Sequence, residues 1–205
     1  MLNQKGFDQW ASQYDQNVEQ TDESQKYPFA GYNEILTEIE KRVLSRPHEK
    51  VLDIGFGTGV LTSRLYRQGC GIYGQDFSEK MIDLARQKMP DARLYQGDFT
   101  QGLVRQLQKE RYDAILSTYA LHHLTDGQKV QFLKELLPLL QDGGCIYIGD
   151  VAFETRAALE ICRAQEGQRW DPDEIYFVVE ELKEAFPKLQ FEKFSYCAGL
   201  LSLQK

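Results

Sequence analysis

The stretch Val51-Leu52-Asp53-Ile54-Gly55-Phe56-Gly57-Thr58-Gly59 decides the fold class. Lys50 to Ile54 is a short β-rich run, glycines follow it, and Val60 to Gln68 reads as a helix. A strand that turns through glycines into a helix opens a doubly wound sheet, which binds ligands at that end of its strands. Glycines there remove Cβ atoms, so the backbone can approach a ligand and adopt positive φ. The free N–H groups at the helix start, after Gly59, suit a carboxylate. The spacing is GxGxG, whereas the nicotinamide fingerprint is GxGxxG. Asp53 stands two residues before the first glycine, where it would repel a pyrophosphate and attract the ammonium of an amino-acid-like ligand.

Downstream, strands and helices alternate. Gly71 to Gln75 reads as a second strand with Asp76 at its end, where a doubly wound fold presents an acceptor to a ribose diol. The alternative for Asp76 is an acid at a helix start, since Ser78 can cap a helix whose Met81, Ile82, Ala85 and Met89 share a face. Arg93 to Gln96 is a third strand. It ends in Gly97-Asp98-Phe99, an acid able to accept from an adenine amino group beside a ring to pack on it. Tyr112 to Ser117 is a fourth strand. Asp126 then caps a helix bearing Val130, Leu133, Leu136, Leu137 and Leu140, distorted near its end by Pro138. Asp142-Gly143-Gly144 turns the chain into a fifth strand, Cys145 to Gly149. Asp171-Pro172-Asp173-Glu174 has the form of a helix start, with Ile175, Val178, Val179, Leu182 and Phe186 along one face. Two β-like runs close the chain, Leu189–Tyr196 and Leu200–Leu203, joined around Gly199.

Repeated βα units predict a parallel sheet with helices on both faces, and the closing hairpin puts one antiparallel strand into it. The expected fold is α/β, a doubly wound, seven-stranded, mostly parallel sheet with an antiparallel C-terminal strand. Upstream, Tyr32, Ile35, Leu36, Ile39 and Val43 form the apolar face of a helix. Residues 1–30 are polar and aromatic, with a short helix expected around Phe7, Trp10 and Tyr14. The organisation predicted is an N-terminal arm and helix over 1–48, acting as a helical lid within the same domain. A core follows over 49–205, with a substrate-covering insertion over 152–179.

VLDIGFGTG, YGQDFSEKMIDLAR, QGDF and YDAILSTYALHHL, in that order and at that spacing, resemble the successive cofactor motifs of class I, Rossmann-like S-adenosylmethionine-dependent methyltransferases, of the small-molecule type. The match covers roughly residues 49–150. The resemblance implies that S-adenosylmethionine is the cofactor and S-adenosylhomocysteine the product. It implies that Gly55, Phe56 and Gly57 pass along the methionine part, and that Asp76 binds the ribose hydroxyls with Phe77 and Met81 near the adenosine. Asp98 and Phe99 would hold the adenine, and Ser117 and Thr118 would border the sulfonium. Trp10-Ala11-Ser12-Gln13-Tyr14-Asp15 resembles a motif of small-molecule methyltransferases in which the tyrosine closes over the cofactor. Phe56 departs from the small residue or cysteine of many relatives.

On the acceptor side, His122 and His123 follow the fourth strand, where a histidine of ordinary pKa can take a proton. Tyr119 is a similar catalytic candidate, and a purely structural role is the alternative for all three. Asp150, after the fifth strand, either binds a cationic acceptor or caps the next helix. The expected function is methyl transfer to a small-molecule acceptor. The alternatives are a cofactor-binding protein without turnover, or a methyltransferase acting on a protein or RNA.

Composition narrows the partners. The chain of 205 residues carries a net charge of −7, is 42% hydrophobic and 27% charged, and shows no run of Lys and Arg that would track phosphates. No nucleic-acid partner is therefore expected. With no run of about 20 apolar residues and no basic-then-apolar leader, neither a membrane span nor secretion is expected, and the cytoplasm is the predicted location. The four cysteines lie far apart with no Cys/His cluster in the sequence, so the expectation is a reduced, metal-free chain. The oligomeric state is open, a homodimer being the commonest arrangement among oligomers.

Overall fold

The structure, a computed structural model, describes residues 21–22, 25–46 and 50–205. Tyr14 and the rest of the expected N-terminal arm up to residue 20 lie outside the described residues.

Chain order runs α1 (Tyr32–Leu44), β1 (Lys50–Ile54), α2 (Val60–Arg67), β2 (Gly71–Asp76), α3 (Glu79–Lys88), β3 (Arg93–Gln96) and β4 (Tyr112–Thr118). It continues through α4 (Asp126–Leu136), β5 (Leu140–Phe153), α5 (Arg156–Glu166), β6 (Phe177–Val178), α6 (Val179–Ala185), β7 (Gln190–Lys193) and β8 (Ala198–Gln204). The sheet order is β3-β2-β1-β4-β5-β8-β7, with β6 as an eighth strand attached to β5. Pairings from β3 to β5 are parallel, and β8 runs antiparallel between β5 and β7. The doubly wound expectation with a reversed C-terminal strand is met, with the short β6 added.

Alternating side chains build a core on each face of the sheet. Val51, Ala114 and Leu116 join Leu36, Ile39, Leu65 and Ile82 on one side. Leu52, Ile54 and Ile115 join Phe132, Leu133 and Leu182 on the other. On the first side α1 lies directly on β5, because Gly149 has no side chain; a Cβ there would be 2.4 Å from Ile35 Cγ2. No helix of the described residues is long and apolar enough to cross a membrane.

Several local expectations are corrected. Helix α4 is capped by Thr125, not Asp126; Thr125 and Gln128 form a reciprocal capping box, and Pro138 falls in the 3-10 turn that ends the helix. Strand β5 starts at Leu140, and Gln141–Gly144 is a bulge between the pairs Tyr112↔Leu140 and Ala114↔Cys145. It also runs past Gly149, because β8 pairs with it as far as Val151 and β6 covers Ala152 and Phe153. Asp171-Pro172 opens a turn instead of a helix, with the Asp171 carboxylate accepting from the Asp173 N–H at 2.8 Å. Phe177 and Val178 are drawn into the β5 edge, so the helix waits until Val179. Gly199 lies inside β8, and the hairpin turns before it, over 194–197.

Candidate active site

The turn from β1 into α2 is held open by its glycines. Gly55 and Gly57 have φ of +70° and +56°, a conformation that costs other residues strain. The Gly55 N–H donates to the Gln75 carbonyl at 2.8 Å, docking the loop on β2. A Cβ on Gly55 would stand 2.5 Å from the Ala120 Cβ, whereas one on Gly57 would meet nothing within 4 Å among the described residues. Gly55 therefore permits a close approach to the end of β4, and Gly57 lines the cleft.

Two carboxylates support this loop. Asp76, at the end of β2, accepts from the Gly57 N–H through Oδ2 at 2.9 Å and from the Ser78 N–H through Oδ1 at 2.9 Å. It thus ties the glycine loop to the start of α3. Asp53 is 1% exposed; its Oδ2 accepts from the Thr62 hydroxyl, and its Oδ1 has no hydrogen-bond partner among the described residues. Burial raises its pKa from 3.8 to about 7, opposed in part by the Thr62 hydrogen bond.

A cleft runs along these groups. Of the residues expected at the cofactor, Asp53, Gly55, Phe56, Gly57, Asp76 and Phe77 line it, as do Met81, Phe99 and Thr118. The Phe56 ring is buried against the Cβ-free face of Gly74.

Three expected cofactor residues do not line the cleft. Gly59 packs instead against α3, where a Cβ would meet Met89 Cε at 2.8 Å. Ser117 is buried and donates to the Ile54 carbonyl at 2.9 Å, because successive residues of β4 face opposite ways. Asp98 is exposed, and its carboxylate accepts from the Thr100 N–H at 2.9 Å as the cap of a 3-10 turn. Sequence reasoning missed Thr58, Leu61 and Ala120 in the lining, and took Val60 only as a helix start and Tyr32 only as a helix-packing residue. Thr62, the partner of Asp53, was also missed, though its place one turn into α2 directs it back at β1.

At the far end of the cleft stand Tyr119 and His123. Tyr119 has φ +49°, and its ring packs 5.2 Å from both Phe29 and Tyr32. Burial, reinforced by the charge of Asp150, holds its phenol well above the usual pKa of 10, so Tyr119 stays protonated near neutral pH. Burial and the neighbouring His122 lower His123 to about 4, so its ring is neutral there.

His122 does not line the cleft. Its Nδ1 lies 2.7 Å from Asp150 Oδ1 and its Nε2 3.4 Å from Glu174 Oε1. Burial alone would lower its pKa, but the two carboxylates outweigh that and raise it. Asp150 is fully buried inside β5, so it neither caps a helix nor faces an acceptor directly. Glu174 carries no signal in the sequence, since it reaches His122 only through the turn after Asp171.

Comparison with known proteins completes the picture. A family described as a methyltransferase domain matches residues 51–144. An uncharacterized methyltransferase of Oceanobacillus iheyensis is 34% identical over 192 residues, covering 90% of this chain and 87% of that protein. The chain belongs to the methyltransferase family. Its fold is that of magnesium protoporphyrin IX methyltransferase from Synechocystis PCC 6803, solved with bound SAH, at TM-score 0.67 and 18% identity over 86% of this chain and 85% of that one. The DhpI-SAM-HEP complex matches at TM-score 0.67 and 18% identity, over 97% of this chain and 94% of that one. The protein is thus a methyltransferase with the class I, Rossmann-like fold.

Proposed function

We propose that this methyltransferase transfers the methyl group to a small-molecule acceptor held between His123, Tyr119 and the chain segment 152–179. The observation that carries the reading is the continuity of the cleft. It passes from the Asp53 and Asp76 carboxylates to Tyr119 and His123, where Phe29, Tyr32 and Tyr119 pack into an aromatic wall. Tyr27, Trp170 and Tyr176 form a second aromatic group, with Trp170 and Tyr176 contributed by the covering segment. Such an end admits a compact ligand more readily than a folded protein or an RNA strand.

The residues fit the cofactor. The buried Oδ1 of Asp53, without a hydrogen-bond partner among the described residues, suits an ammonium group. Asp76, an acceptor-only carboxylate that lines the cleft at the end of β2, suits the two hydroxyl donors of a ribose diol. Gly55 and Gly57 let the backbone run beside the methionine part, with Phe77, Met81 and Phe99 against the adenosine. The cofactor supplies a methyl group on a good leaving group, a sulfonium. The chain's task is to align the acceptor in line with that methyl and exclude water. His123 is the acceptor-facing histidine, and His122 is turned away from the cleft.

Calorimetric titration tests the first half: S-adenosylmethionine and S-adenosylhomocysteine should bind with micromolar affinity, and NADH should not. No binding of either would remove the cofactor assignment. For the acceptor, labelled methyl groups from S-adenosylmethionine should appear in the low-molecular-weight fraction of a cell extract. Label confined to the protein or RNA fraction would overturn the small-molecule reading, and no label would favour binding without turnover. His123→Ala should keep its S-adenosylhomocysteine affinity and lose on the order of 100-fold in turnover, as misplacement of an acceptor does. Undiminished turnover would assign His123 to structure.

A further inference from the structure

Beyond methyl transfer, the fold gathers His122, His123 and Glu174, although Glu174 lies more than fifty residues along the chain from the histidines. One donor atom from each lies within 4.8 Å of the other two. We propose that these three side chains form a binding site for one first-row divalent transition-metal ion, beside the acceptor end of the cleft.

The spacing suits such an ion. Metal–nitrogen and metal–oxygen bonds of about 2.0–2.2 Å place neighbouring donors about 3.3–3.6 Å apart in a tetrahedral site. His122 Nε2 and Glu174 Oε1 stand 3.4 Å apart. The His122 and His123 rings meet edge to face, with centroids 4.4 Å apart. Two imidazoles and one carboxylate are a donor set for zinc, cobalt, iron or manganese, whereas magnesium and calcium favour all-oxygen sites.

The surroundings are built as metal sites are built. Ligating histidines present one nitrogen to the ion and give the other to a carboxylate, which fixes the ring and raises its basicity. Asp150 does this for His122, with Oδ1 2.7 Å from Nδ1, and is itself locked within β5. Ligating carboxylates are hydrogen-bonded in turn. Glu174 Oε2 accepts from the Tyr176 hydroxyl at 2.6 Å. The backbone closes the clamp, since the Ile175 N–H donates to the His122 carbonyl at 2.8 Å and fixes the Glu174 turn against the histidines. Asp150 and Glu174 also supply negative charge to a divalent cation. Lys129, a cation facing this group, is turned to the Ile175 carbonyl and Asp126.

Three protein ligands leave a coordination position open. His123 borders the cleft, so that position would face the acceptor, and a donor atom on the acceptor would complete the shell. Completion by the acceptor rests on the small-molecule reading proposed above; the site itself does not.

The test is metal titration of the intact, chelator-treated chain with Zn²⁺ by calorimetry and with Co²⁺ by visible absorption. One ion per chain is expected, with micromolar or tighter affinity and cobalt d–d bands free of thiolate charge transfer. Glu174→Gln should weaken binding at least tenfold while leaving S-adenosylhomocysteine affinity at the parental value, which also reports an intact fold. Asp150→Asn should weaken it by about 10- to 100-fold through the His122 ring. Absence of stoichiometric binding would overturn the proposal, leaving His122 as a structural side chain held between two carboxyl groups. Binding unchanged in both Glu174→Gln and His123→Ala would overturn it as well, by placing the ion elsewhere. Neither result bears on cofactor binding, so the two proposals fail separately.

Discussion

Replacing Asp76 with alanine is expected to weaken S-adenosylhomocysteine binding by about 100- to 1000-fold and to destabilise the unliganded chain. The carboxylate is 4% exposed and already accepts from two backbone N–H groups. Hydrogen bonds to a charged group contribute about 1.5–3 kcal/mol each. The substitution removes the proposed diol contacts and also frees the Gly57 N–H, so the loop that meets the cofactor loses its tether to β2. The two losses together reach roughly 3–4 kcal/mol, which is the expected change in affinity. Stability should fall by about 1–3 kcal/mol, since buried donors are left unmade. Asp76→Asn keeps one acceptor oxygen and should fall between the two. Calorimetry and thermal melts read both quantities, and parental affinity in a folded alanine variant would remove Asp76 from the site.

Asp53→Asn is expected to move stability and binding in opposite directions. Burial lifts the Asp53 carboxyl from 3.8 to about 7, so between those values the folded chain holds a proton that the unfolded chain has lost. Stability therefore falls as pH rises through that window and levels off above it. At pH near 8 the folded chain carries a buried carboxylate, one of whose oxygens has no partner among the described residues. The cost is on the order of 4 kcal/mol, since each tenfold change in proton affinity is worth about 1.4 kcal/mol. Asparagine is neutral and keeps an oxygen for the Thr62 hydroxyl. The unliganded variant should thus melt higher than its parent at pH 8, by about 2–4 °C for each kcal/mol recovered, and the gap should close toward pH 4. Cofactor affinity should fall by about 10- to 100-fold, because the ammonium loses its charged partner. A variant less stable at pH 8, or one binding equally well, would show that Asp53 serves the fold and not the ligand.

What could be read from the chain was what neighbours in sequence decide. The β1–glycine–α2 turn, Asp53 before it and Asp76 after β2 are local patterns of periodicity and turn chemistry, and they fall where expected. Which of two adjacent residues faces a ligand was not local. Thr118 reaches the cleft and Ser117 does not, and Phe99 reaches it while Asp98 caps a turn in solvent. The acceptor side depended on pairings between distant segments. His122 finds Asp150 because β4 and β5 are sheet neighbours, and Glu174 arrives because Phe177 and Val178 pair with β5. That pairing also overrode the helix start written in Asp171-Pro172, as tertiary contacts override local propensity.

The small strand β6 carries a consequence for how such a chain diversifies. Phe177 and Val178 return to Ala152 and Phe153, so the excursion over 154–176 leaves the sheet and rejoins it at adjacent points. A loop whose ends are already pinned together is insensitive to its length, each doubling costing only about 0.6 kcal/mol in closure entropy. The chain can therefore lengthen, shorten or rewrite the wall bearing Trp170 and Glu174 while β1, β2 and their glycine turn stay as they are. Novelty at one end of the cleft is thermodynamically cheap, and inheritance at the other end is left undisturbed.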